Sequence, residues 1–191
     1  MASHGNGDPP DRSGPLGQNV APSRRPVLAP VDVTFLPVSD TGSMQAHLVE
    51  RSHADYVLST DRTRLDLDVI HGYLTTSYWA EGRTRELQTR AIDGSHLVIG
   101  AYTGGGAQVG FARMVTDLAT WAWLCDVFVL PEHQGNGLGG TMVGTIVEHP
   151  DVVDIKWQFL ATADAHDLYG RFGYTPLEDP ARWMHRRGPS R

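Results

Sequence analysis

From Leu124 to Thr141 the chain reads LCDVFVLPEHQGNGLGGT, and few folds can house that order of residues. Val127, Phe128, Val129 and Leu130 favour extended backbone, because branched and aromatic side chains suit a pleated surface. Pro131 lacks a backbone donor and ends the ladder, so the chain must leave the sheet there. After the turn Glu132-His133-Gln134, the glycines at 135, 137, 139 and 140 leave main-chain N–H groups uncovered, and an anion can approach them closely. Leu138, Met142, Val143, Ile146 and Val147 recur at three-to-four spacing and place a buried helical stripe directly behind the loop. The pattern predicts a strand, a phosphate loop and a helix whose N-terminal dipole faces a bound phosphate.

Gly135-Asn136-Gly137-Leu138-Gly139-Gly140 also satisfies the dinucleotide pattern G-x-G-x-x-G. That motif belongs to a first strand-helix-strand unit followed by an acid near the next strand end. Here the glycines fall late, after strands with no parallel crossover between them. A P-loop needs Lys and Ser/Thr where Thr141 and Met142 stand. A structural turn with no ligand is the remaining alternative.

The rest of the chain sets limits. With 191 residues, 40% of them hydrophobic and 5 Trp, one domain with a sizeable core is expected. A formal net charge of −6 opposes nonspecific binding to nucleic acid or anionic membrane. No apolar run approaches the roughly 18 residues that cross a bilayer, and the N-terminus lacks a signal peptide's layout, so a cytoplasmic location is expected. The single Cys125 excludes an internal disulfide framework and fits a reducing compartment; inside an apolar strand it reads as a buried thiol. The 9 His are scattered, with neither His-x-His nor His-Glu-x-x-His, so no metal site is expected.

Residues 1–30 are rich in Gly, Pro, Ser, Asn and Asp and read as a disordered N-terminal tail; residues 31–191 carry the domain. Val31 to Val38 suggests a short extra strand and Tyr56 to Thr60 a firmer one. Asp66 then caps a helix with Leu67, Ile70, Tyr73 and Leu74 on one face, and a second helix spans Thr84 to Ile92. Strands at Leu97 to Thr103, Ala107 to Thr116 and Trp121 to Leu130 are joined by links so short that only antiparallel neighbours fit. After the glycine loop and its helix, Ile155 to Ala161 completes a right-handed parallel crossover. Asp164 reads as the cap of a last helix, with closing strands at Phe172 to Tyr174 and Trp183 to His185. The fold class is α/β: a single mixed, mostly antiparallel sheet with one strand-loop-helix-strand unit.

Two segments together resemble a known family. Gln134-Gly135-Asn136-Gly137-Leu138-Gly139 is similar to the Gln/Arg-x-x-Gly-x-Gly/Ala signature of the GCN5-related N-acetyltransferases (GNAT), and Leu168-Tyr169-Gly170-Arg171-Phe172-Gly173-Tyr174 is similar to their second acyl-CoA motif. The likeness runs from about Tyr56 to Arg186. It implies acetyl-CoA as co-substrate, no metal, and a primary amine as acceptor, attacked directly without an acyl-enzyme. Its diphosphate would lie on Gln134, Gly135, Asn136, Gly137, Leu138, Gly139 and Gly140, and its pantetheine arm along Val127, Phe128 and Val129. A backbone N–H near Val127 or Phe128 would stabilise the oxyanion. The resemblance also admits a homodimer. An idle acyl-CoA sensor on the same fold is the alternative from another class.

By the same resemblance Tyr169 is the general acid; a buried core aromatic is the rival reading. Asp126, read as alternating with Leu124 and Phe128, is the candidate base if apolar neighbours raise its pKa, or else an ion-pair partner of Arg113. On the substrate side stand Ser77, Tyr78 and Trp79, whose rings suit a half-wet wall but equally a core edge, with Arg113, Asp117 and Trp123. Aromatic enclosure favours a small-molecule amine over a protein tail. Asn136 departs from the family, many of whose members have Arg or Lys there, so less fixed charge meets the phosphates; only His133 or a distant Arg could compensate.

Overall fold

Seven strands lie in one sheet in strict chain order, β1 Asp32–Val33, β2 Val49–His53, β3 Tyr56–Ser59, β4 Leu97–Thr103, β5 Gln108–Thr116, β6 Trp121–Val129 and β7 Trp157–Phe159. This computed structural model describes residues 46–188 and the backbone of 32–33, so the expectation for residues 1–30 lies outside the described residues. Every neighbouring pair is antiparallel except β6 with β7. The expected mixed sheet with one crossover is therefore what the chain forms.

Among the described residues four α-helices cover the sheet: α1 Leu67–Leu74, α2 Arg85–Asp93, α3 Leu138–Val147 and α4 His166–Gly170. The Asp66 carboxylate accepts from the N–H groups of Asp68 and Val69, and the Thr84 hydroxyl from that of Leu87. Each such cap stabilises a helix start by about 1 kcal/mol. On one face of the sheet α3 buries Leu138, Met142, Val143 and Ile146 against Leu97, Ile99, Ala112, Met114 and Leu124. On the other, Ile70 and Leu74 of α1 and Ile92 of α2 pack on Val98, Phe111 and Phe128. Complete burial of each large side chain contributes about 1.5–3 kcal/mol, so the two clusters pin the sheet from both sides. Close approach of α3 requires Gly110, where a β-carbon would meet the Met142 sulfur at 2.9 Å and the Phe128 carbonyl at 3.1 Å.

Four local expectations fail at the C-terminal end. The last parallel strand is only Trp157–Phe159. Phe172 to Tyr174 forms no strand: their N–H groups turn back onto the carbonyls of Tyr169, Gly170 and Tyr169 in a tight helix exit. Trp183 follows a 3-10 turn at Pro180–Arg182 and also pairs with no strand. Aromatic and β-branched content read as strand propensity there, but local turn bonds and Pro180 decide the backbone. Nor does Asp164 cap α4; the cap position is Ala165, with no side-chain bond.

Candidate active site

The glycine loop is built as a donor surface. Gly135 and Gly137 take φ of +83° and +84°, a left-handed conformation that side-chain-bearing residues adopt only at a cost, and Gly137 is the N-cap of α3. Among the described residues, the N–H groups of Gly135, Asn136, Gly137, Gly139 and Gly140 donate to no protein acceptor. Leu138 differs, since its N–H is taken by Asn136 Oδ1 at 3.1 Å. Asn136 is the scaffold of the turn: its Nδ2 donates to the Tyr56 hydroxyl at 3.4 Å and its carbonyl accepts from His53 Nε2 at 2.9 Å. With Nε2 carrying the proton, His53 Nδ1 bonds the Thr141 hydroxyl at 2.9 Å. Tyr56 also bonds His133 Nδ1 at 2.9 Å. The β2–β3 hairpin thus holds the loop from behind and leaves its amide face open, a fit for a diphosphate.

The neighbouring strand edge is open as well. Parallel pairing of β6 with β7 stops at Trp123 with Phe159, so Leu124 to Val129 have no strand partner on that side among the described residues. Because the Leu130 N–H bonds Val109 on β5, the alternation of an antiparallel strand turns the Val129 groups toward the open edge. One acceptor there is already used, as Gln134 Nε2 donates to the Val129 carbonyl at 2.7 Å. Gln134 therefore enters the site through its side chain, by fixing the strand end.

Between Arg113 and Phe111 on β5, β6 carries one extra residue: Cys125 faces Arg113 and Phe128 faces Phe111, leaving Asp126 and Val127 opposite Ala112. Asp126 has φ of +54° at this β-bulge. The bulge overturns the simple alternation, since Leu124 packs on the α3 face while Phe128 packs on the α1–α2 face. It also gives Asp126 partners that determine its charge. Asp126 Oδ2 accepts from Arg113 Nε and from Arg83 Nη1, both at 2.6 Å, and the carboxylate side chain is 2% exposed. Burial pushes its pKa up, but the charge of Arg113 and the hydrogen bonds from both guanidiniums outweigh that and hold it below the ordinary carboxylate range. A raised-pKa base at this position is thereby corrected to an ion-pair hub. Arg83, which the sequence reading passed over in the α1–α2 connection, is its second arm.

Other substrate-side residues sort by geometry. Tyr73 stacks on Phe128 with ring centroids 4.1 Å apart, and exposed Tyr78 lies edge-on to Trp79. The Tyr78 hydroxyl accepts from the Ala163 N–H at 3.1 Å, joining the α1–α2 connection to the segment before α4. Ser77 is buried and donates to the Leu74 carbonyl, which makes it a helix-end residue. Asp117 closes its own turn, accepting from the N–H groups of Ala119, Thr120 and Trp121 and from the Thr120 hydroxyl; the last of these is the chief cause of its low pKa. Arg113 is committed to Asp126 and Ser95. Trp123 is half-buried on β6. Burial lifts the Cys125 thiol to about 11, as expected of an inert thiol.

Tyr169 of α4 is 9% exposed, and its hydroxyl has no hydrogen-bond partner among the described residues. Burial first, then the nearby Tyr78 and Asp164, raise it to about 12. Asp164 raises Tyr73 too, after burial, so this uncapped carboxylate lies electrostatically close to both phenols. It is the acidic residue of this face that the sequence reading assigned to a cap.

An open amide loop leading into α3, beside a strand end without a parallel partner among the described residues, is the arrangement that the family resemblance implies. The comparisons agree. Residues 93–176 match the model of the acetyltransferase (GNAT) domain. A candidate acetyltransferase of Gibberella zeae is 31% identical over 63% of this chain and 78% of its own length. A candidate GNAT-family acetyltransferase of Xanthomonas campestris, solved by crystallography, is 42% identical with a TM-score of 0.66, over 70% of this chain and 94% of its own. Glucosamine-6-phosphate N-acetyltransferase of Arabidopsis thaliana shares the fold at 15% identity and a TM-score of 0.50, over 69% and 97% of the two chains. The chain belongs to the GNAT acetyltransferase family.

Proposed function

We propose that this protein moves an acetyl group from acetyl-CoA to a primary amine of a small molecule, by direct attack and without an acyl-enzyme. The observation that carries the reading is the set of uncommitted amides from Gly135 to Gly140 beside the unpaired end of β6. The amides hold the diphosphate; the open edge near Val127 to Val129 aligns the pantetheine arm and aims the thioester at the bulge. Tyr73, stacked on Phe128, and the exposed pair Tyr78 and Trp79 are the aromatic groups that would flank a small amine in this reading. A cytoplasmic location belongs to the same reading, supported by the single cysteine, which fits a reducing compartment.

Tyr169 serves as the acid. At about 12 it stays protonated throughout the working range, yet it lies roughly three units above an ordinary thiol, so full transfer to a free thiolate is uphill. Its contribution is a hydrogen bond to the sulfur that strengthens as the C–S bond breaks. Since Asp126 is locked, Asp164, close to Tyr169 and Tyr73, is the carboxylate that draws the acceptor's ammonium, which gives up a proton to water before the neutral amine attacks the thioester carbonyl. The experiment is an amine screen with acetyl-CoA scored by free thiol, for the wild type and Tyr169→Phe. The locked Asp126 favours one second reading, a non-catalytic acyl-CoA sensor, for which both proteins release thiol at the same background rate.

A further inference from the structure

Position 136 carries no charge, and the structure shows why a cation there would be out of place: all three polar groups of Asn136 named above are spent holding the turn together. The two histidines beside the loop are bonded within its scaffold, His133 through Nδ1 to Tyr56 and His53 through its ring nitrogens to Asn136 and Thr141. Another group approaches from a different element. Arg171, at the C-cap of α4, brings its Nη2 to within 3.8 Å of the place a β-carbon on Gly140 would occupy. Gly140 is the third residue of α3, and its N–H is among the uncommitted donors. The Arg171 side chain is exposed and enters no hydrogen bond or ion pair among the described residues, in contrast to Arg83 and Arg113, whose guanidiniums are bonded. An unengaged guanidinium beside unengaged amides is a combination that one anion can satisfy at once.

Resting on the acyl-CoA reading, we propose that Arg171 is the charge partner of the acetyl-CoA diphosphate, supplying from α4 the cation that the glycine loop lacks. The loop donates neutral N–H bonds to one side of the diphosphate, and the guanidinium closes on it from the other. Tyr169 stands two residues earlier on the same short helix. Seating the diphosphate therefore also fixes the helix that carries the acid, which makes Arg171 a positioning residue as well as a binding one.

The test is calorimetric binding of CoA and of dephospho-CoA, which keeps the diphosphate but lacks the 3′-phosphate, to the wild type, Arg171→Gln and Arg171→Lys at low and high salt. Loss of one charge-assisted contact predicts that Arg171→Gln weakens both ligands about tenfold and flattens the salt dependence, with Arg171→Lys recovering part of the loss. The melting temperature of the free protein should be the same for all three, because the guanidinium holds nothing in place. Equal binding by the wild type and Arg171→Gln overturns this inference alone. Weakening of CoA but not of dephospho-CoA overturns it too, by moving the contact to the 3′-phosphate. Failure of the wild type to bind either ligand removes the acyl-CoA reading beneath it.

Discussion

Arg113 Nε lies 2.6 Å from Asp126 Oδ2, binding the strand before the bulge to the residue that forms it. Arg83 reaches the same oxygen from the α1–α2 connection, and the three side chains are between 2% and 18% exposed. Asp126→Ala would leave two mostly buried guanidiniums without a counter-charge, which costs about 3–5 kcal/mol. Urea unfolding of this variant should show that loss, together with reduced activity from a relaxed bulge. Unchanged stability would mean that water replaces the carboxylate. The sign of the pH effect follows from the direction of the shift. Asp126 is held below its unfolded value of about 3.9, so its stabilisation is present above that pH and is lost as pH falls through the folded value.

Replacing Tyr169 by Phe removes an unbonded hydroxyl from a buried ring. Turnover should fall about 10²-fold while the KM for acetyl-CoA and the melting temperature barely move, because only the bond to the departing sulfur is lost. Steady-state thiol release over several amine concentrations measures this, and an unaffected kcat would assign Tyr169 to packing.

A second polar cluster predicts acid sensitivity. His47, His96 and His149 surround Asp151, with His96 Nε2 2.8 Å from its carboxylate, and so tie together three segments behind α3. His149 is fully buried, Nε2 donating to the His47 carbonyl and Nδ1 accepting from the Asp151 N–H; burial lowers its pKa. A base whose folded pKa lies below its unfolded value of about 6.5 binds more protons when unfolded, so its stabilisation is whole above that pH and drains as pH falls toward the folded value. Wild-type melting temperature should therefore decline between pH 7 and 5, and His149→Gln should decline less steeply. Parallel curves would show that His149 does not carry the effect.

Gly110→Ala tests the approach of α3 to the sheet. The new methyl would press on the Met142 sulfur and the Phe128 carbonyl, the second of which cannot yield easily. A loss of about 1–3 kcal/mol is expected in denaturant unfolding, and no loss would mean that Met142 moves freely aside.

What the sequence showed depended on how local the cause was. The glycine loop, α3 and the parallel crossover were readable because Val127 to Leu130, Pro131 and the Leu138–Val147 stripe each act over a few residues. Asp126 was only half legible for the opposite reason: the ion pair with Arg113 is one of its two sequence readings, but its face and its charge depend on a bulge opposite Ala112 and on Arg83, 43 residues away. Asp164 looked like a cap because its type and position fit one, yet Ala165 occupies that place. Asn136 departed from the family pattern in a way that only its three bonds to neighbouring groups explain.

The most direct measurement follows the backbone amide resonances of 15N-labelled protein as CoA is added, with NAD as the comparison. Large shifts at Gly135, Asn136, Gly137, Gly139 and Gly140 with CoA, small ones at Leu138, and none of this pattern with NAD are the predicted result. CoA leaving those amides unmoved, or NAD moving them equally, would contradict the account.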